Sequence, residues 1–113
     1  MERRLSQRTP ITLDASVSSG GKTYTGFIEN VSKEGVEYLL VSSIEASNDF
    51  KPEKMIDLHF QIPSGETLNL KCEVKWLLRA SPNEKTLTLG MKIIAPPKKY
   101  KEFIDSLDIV SVD

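Results

Sequence analysis

Two short clusters in this chain have residue types and spacings suited to holding an anion or a nucleobase. Arg3, Arg4 and Arg8 stand within the first eight residues as R-R-x-x-x-R. Further on, Asn30-Val31-Ser32-Lys33-Glu34-Gly35 forms an N-x-S-x-x-G. Arginine carries a planar, permanently charged fork that matches phosphate oxygens and the O6/N7 edge of guanine, and its face stacks on a base. A turn built from Asn, Ser and Gly offers an amide, a hydroxyl and exposed backbone N–H groups, which suit anions and base edges. Taken singly, each cluster has a plainer explanation. Two arginines four apart arise by chance in roughly one chain of this size in four, and a basic N-terminal tail is usually just solvated. The N-x-S-x-x-G arises in on the order of one in twenty, and its plain reading is an Asx or Ser turn with Gly35 at a positive φ. Together they supply every group needed for a small ligand that carries both guanine and phosphate.

Catalytic parts are scarce by comparison. His59 is the one histidine and occupies a polar position of an alternating strand, so it is expected to face solvent. One histidine and one cysteine do not make a zinc site, and no acidic cluster has the spacing of a calcium loop. Cys72 falls on the apolar face of its strand, where a thiol behaves as a small inert hydrophobe. Trp76 shares that face and reads as core. No G-x-x-x-x-G-K-[ST] phosphate loop occurs. The chain is therefore read as a binding module without enzymatic activity, cofactor or metal.

The elements that would position the two clusters follow a period of two. Ile11, Leu13, Ala15 and Val17 alternate with polar residues as one strand, and Ser18-Ser19-Gly20-Gly21 marks a turn. A second strand is expected from Lys22 to about Glu29, a polar break at Asn30 to Gly35, and a third strand over Val36 to Val41. Ser42 to Glu53 reads as a polar loop. Ile56 to Ile62 alternates again, Pro63-Ser64-Gly65-Glu66 turns, and Leu68 to Leu78 is the longest alternating run. Ser81-Pro82-Asn83-Glu84 closes a hairpin onto Leu87 to Ile93. Six short strands joined mostly by tight turns predict an all-β fold, a six-stranded antiparallel β-barrel over residues 10–95. Only the end changes period. After Ala95-Pro96-Pro97, Tyr100, Phe103, Ile104 and Leu107 repeat at helical spacing and predict one C-terminal α-helix over 97–109. Too short to be stable alone, it is expected to pack its apolar stripe on the barrel, across an open end.

Composition sets the outer bounds. With 113 residues there is room for one domain with one core, read here as 1–113 with residues 1–9 as the arginine-bearing segment. Charged residues are 27% and the net charge is -1, so the basic excess of a general DNA or RNA binder is missing. No apolar run approaches the roughly 20 residues of a membrane span, and no secretory pattern follows the basic start. With a single cysteine, Cys72, no internal disulfide can form, and the expected location is the reducing cytoplasm.

The paired motifs, in that order and at that separation, resemble the PilZ domain, the bacterial receptor module for cyclic di-GMP. That family's signature is an R-x-x-x-R, often with its first arginine doubled, followed some 20 to 30 residues later by D/N-x-S-x-x-G. PilZ domains are six-stranded antiparallel barrels with a C-terminal helix, and Trp76 and the strand ending Gly90-Met91-Lys92-Ile93 also look like the family. The resemblance implies that Arg4 and Arg8 grip phosphate and guanine of cyclic di-GMP, with Arg3 assisting or stacking. It implies that Asn30 and Ser32 hydrogen-bond the ligand, while Gly35 holds the turn and lets the ligand approach. Three neighbouring arginines repel one another, so the free head is expected to be mobile and to be ordered by a polyanionic ligand. Ordering it would change the surface shown to a downstream protein partner or a neighbouring domain. One alternative is a PilZ-like interaction module that binds no ligand. Another is a barrel for single-stranded nucleic acid, which predicts exposed aromatics interleaved with basic residues, few of which occur on the polar strand faces.

Overall fold

The computed structural model describes residues 9–41, 50–79 and 86–111. Arg3, Arg4 and Arg8 lie outside the described residues, as do the Ser81–Glu84 hairpin tip and most of the Ser42–Glu53 loop. Six strands are present, β1 Thr9–Ser19, β2 Lys22–Val31, β3 Gly35–Val41, β4 Met55–Gln61, β5 Thr67–Arg79 and β6 Thr86–Ile93, followed by helix α1 Lys98–Ser111. They close into a barrel in the order β1-β2-β3-β6-β5-β4, with every pairing antiparallel. The all-β barrel with one C-terminal helix is thus the architecture expected from periodicity.

The tight turns arise where the residues demand them. Ser19 pairs with Lys22 across Gly20 and Gly21, whose φ values are 60° and 83°. Two successive positive φ angles match the twist of a two-residue hairpin, and glycine adopts them without a Cβ clash. Val17, Ile28, Tyr38, Leu40, Leu58, Leu70, Cys72, Val74 and Leu89 point inward and are buried. The Tyr38 hydroxyl donates to the carbonyl of Ala15 at 2.9 Å, which satisfies a polar group that the barrel interior would otherwise strand.

Both ends of the barrel are covered. Phe50 is completely buried and meets Tyr24 edge-on, with ring centroids 5.1 Å apart. It lies in the segment read from sequence as a polar loop, so that reading missed a core residue. At the other end α1 buries Tyr100, Phe103 and Ile104, each contributing about 1.5–3 kcal/mol of apolar burial. Phe103 packs on Phe60 of β4 at 6.2 Å between centroids, and Lys99 Nζ donates to Glu66 Oε2 at 2.8 Å beside the β4–β5 turn. The helix starts one residue later and ends two later than periodicity suggested, an ordinary uncertainty of frayed ends.

Candidate functional site

The Asn30–Gly35 segment sits at the end of the barrel that α1 covers. The sequence reading placed all of it in a break between strands, but Asn30 and Val31 still belong to β2 and Gly35 opens β3. Only Ser32, Lys33 and Glu34 lie between the strands. Ser32 is buried, and its hydroxyl Oγ accepts from the Gly35 N–H at 3.1 Å and from the Glu34 N–H at 3.4 Å. Its own N–H donates to the Gly35 carbonyl at 2.9 Å. Ser32 therefore holds the reversal together as a Ser turn, the local competition with strand pairing that serine favours.

Gly35 is needed for a different reason from the one expected. Its φ is not positive; instead, a Cβ there would lie 2.8 Å from the backbone oxygen of Met91. Close approach of β3 to β6, not a left-handed conformation, is what excludes a side chain. Beneath the turn, the fully buried Tyr100 of α1 donates its hydroxyl to the carbonyl of Ser32 at 2.6 Å. Burial holds that hydroxyl protonated well above the usual tyrosine range.

On the outer face the turn forms one wall of a groove of about 240 Å³ that runs across to β5 and β6. Its floor is a single cross-strand row in which Asn30 pairs with Glu37, Glu37 with Gly90, and Gly90 with Trp76. Asn30 Nδ2 donates to Glu37 Oε1 at 2.9 Å. Lys75 and Lys92 join Glu34 and Glu37 in the lining, so the described walls carry two charges of each sign.

Trp76 is the main correction to the sequence reading. It is not core: the residue is 39% exposed and lines this groove, and Leu78 beyond it is 61% exposed. The cause is a register shift in β5, where Val74 pairs with Met91 but Trp76 pairs with Gly90. One extra residue, Lys75, enters the strand, and every later side chain changes face. Leu77 accordingly turns inward and packs on the core. Gly90 leaves the room into which the indole settles, because a Cβ there would collide with Trp76 Cε2 and Nε1. Further shifts fall between Ile28 and Asn30 in β2 and between Pro10 and Leu13 in β1. Bulges of this kind re-aim side chains near binding sites. A signal was present in sequence: Trp76-Leu77-Leu78 are three consecutive apolar residues, which strict alternation does not produce.

The remaining chemically capable groups lie elsewhere. Cys72 is buried, and burial, with the Asp57 carboxylate adding, pushes its thiol up to about 12. His59 is on the outer face of β4 with Nδ1 paired to Asn69 Oδ1. Among the described residues no three His, Cys, Asp or Glu side chains are grouped to hold a metal ion, and no helix is long and apolar enough to cross a membrane.

Comparison with known proteins points one way. The barrel superposes on the motility inhibitor MotI/DgrA of Bacillus subtilis with a TM-score of 0.78 at 12% identity, over 100% of this chain and 55% of that one. It matches the PilZ domain of YcgR from Escherichia coli, solved with c-di-GMP, at 0.75 and 12% identity, over 97% and 95%. The MrkH–c-di-GMP complex of K. pneumonia follows at 0.71 and 12% identity, over 97% and 53%. This chain thus spans only about half the length of the first and third. No curated protein sequence matches significantly. At such identities the structural likeness speaks for the fold alone, but the PilZ domain sequence profile matches residues 2–107, nearly the whole chain. The chain belongs to the PilZ domain family.

Proposed function

We propose that this protein is a cyclic di-GMP receptor module that binds the dinucleotide across the Asn30–Trp76 groove and closes over it with Arg3, Arg4 and Arg8. The observation that carries the reading is the junction at Thr9. This residue directly follows Arg8, and it pairs with Val31, inside the N-x-S-x-x-G. Chain connectivity alone therefore keeps the arginine segment within reach of the groove, since eight residues span at most about 29 Å. The described lining is charge-balanced and would not by itself hold two phosphates; the arginines supply the missing positive charge. Solved PilZ proteins that carry c-di-GMP share this barrel, which supports the same ligand class here.

Within this reading Arg4 and Arg8 grip phosphate and guanine, and Arg3 assists or stacks. Asn30 hydrogen-bonds the ligand, Ser32 fixes the turn, and Gly35 keeps its approach open. Trp76 adds an exposed aromatic face on which a base can stack. Ligand draws the basic segment ahead of Thr9 onto the turn, ordering it and altering the surface offered to a cytoplasmic partner protein or adjoining domain.

Isothermal titration of cyclic di-GMP into the protein and into an Arg4→Ala/Arg8→Ala variant tests this. Binding by the former and none by the latter is the expected result. An intact chain that takes up no ligand would return the protein to the adaptor reading, in which only protein contacts matter. Hydrogen exchange tests the switch separately: unchanged exchange of residues 2–9 at saturating ligand would remove it even if binding were real.

A further inference from the structure

The charges around the groove are sorted rather than mixed. Glu34 of the turn and Glu37 of β3 stand on one side, Lys75 of β5 and Lys92 of β6 on the other. The two lysines differ in how far they are already engaged. Lys75 Nζ lies 3.9 Å from Glu73 Oε2. Lys92 pairs with the same Glu73 across the β5–β6 ladder, yet it makes no ion pair among the described residues. Its neighbours along β6, Met91 and Ile93, are buried, so alternation turns the Lys92 side chain outward, where it is exposed. On its other flank stands Gly35, which has no side chain to cover it. Lys92 is thus an available cation beside the Asn30–Gly35 turn, on the wall formed by β5 and β6.

We propose that Lys92 is a further phosphate-binding residue: the arginine segment takes one phosphate of the dinucleotide from the β1–β2 side, and Lys92 takes the other from the β5–β6 side. The inference rests on the cyclic di-GMP reading above. Cyclic di-GMP is a macrocycle whose two phosphates lie on opposite sides of the ring, each with one negative charge. The arginine segment leads into Thr9, which pairs with Val31, so its charges reach the ligand from the β1–β2 side. The phosphate turned away from them meets the far wall. Without a cation there, that charge would lose water and gain no partner. An ammonium with three donors on a flexible stem can follow a phosphate that the rigid barrel does not locate to a fraction of an ångström. Lys75 contributes less, because Glu73 already holds part of its charge.

The test is titration of cyclic di-GMP into the parent chain and into Lys92→Met, which keeps the aliphatic stem and removes the charge. Lys92→Gln is a second neutral variant, and Lys92→Arg restores the charge. Lys22→Met alters the net charge equally at the far end of β2, about 26 Å along the strand from Asn30. The expected result is a loss of affinity of about tenfold in K92M and K92Q, with K92R and K22M within about twofold of the parent. The gap between parent and K92M should narrow as salt is raised, since an exposed charge is screened. Coincident melting curves would show that the chains compared are folded. Unchanged affinity in K92M and K92Q, an equal loss in K22M, or a loss that K92R shares overturns the inference alone. Failure of the unaltered chain to bind cyclic di-GMP overturns it together with the reading beneath it.

Discussion

Replacing Tyr100 with phenylalanine removes a single oxygen from the contact that ties α1 to the Asn30–Gly35 turn. The ring stays, so its packing beside Phe103 is preserved and no large cavity opens. What is lost is a hydroxyl that donates at 2.6 Å to the Ser32 carbonyl beneath the turn. Leaving a buried acceptor without its partner costs about 1–3 kcal/mol. For a domain of this size each kcal/mol lowers the melting temperature by about 4 °C, so Tyr100→Phe should melt about 4–12 °C below the parent. Thermal unfolding followed by circular dichroism measures the drop, and urea unfolding should give a lower midpoint with the same slope. The Gly35 amide, which donates to Ser32 Oγ, should also exchange faster as the turn loosens. A melting temperature within about 1 °C of the parent would refute the reasoning, because the Ser32 carbonyl would then not depend on Tyr100.

Gly35→Ala should cost about 1–3 kcal/mol, since the new Cβ meets the Met91 backbone oxygen at 2.8 Å and backbone does not yield easily. Gly90→Ala should cost less than Gly35→Ala in the same denaturation assay, because the obstructing group is the half-exposed indole of Trp76, and it should shift that single tryptophan's emission as the ring swings away. Cys72 should resist a thiol reagent such as DTNB in the native state and react fully in denaturant, as its buried, protonated thiol requires. Stability should fall in alkali. Cys72, Tyr38 and Tyr100 all have raised folded values, so their contribution is intact below the ordinary 9.0 of the thiol and 10.0 of the tyrosines. It is lost as pH climbs from there toward the folded values, and absorbance at 295 nm should show late, cooperative tyrosine ionisation coinciding with unfolding.

The barrel was legible because most of its strands obey one rule. In β3, β4 and the second half of β1 a buried residue alternates with a less buried one, and the hairpin at Gly20-Gly21 and the helical stripe of Tyr100, Phe103 and Ile104 are local signals. The site was less legible because it is built where that rule breaks. Lys75 shifts the register of β5, and a strictly alternating reading then carries Trp76 and Leu78 into the core when both face outward. Gly35 was recognised as necessary, but the reason lies in Met91 on another strand, which sequence proximity does not reveal. Glu37 carries no motif at all and gains meaning only through the register that sets it between Asn30 and Gly90. Phe50 was hidden by polar neighbours, because burial of one aromatic under a loop has no period to detect.

The central claim, that cyclic di-GMP occupies the groove between the Asn30–Gly35 turn and β5, is tested most directly by the protein's single tryptophan. Trp76 lines that groove, so its fluorescence reports on the site itself. Titration with cyclic di-GMP should change the emission saturably, with no change when Arg4 and Arg8 are both alanine. Binding seen by calorimetry with the Trp76 emission unaltered would place the ligand elsewhere and contradict the account.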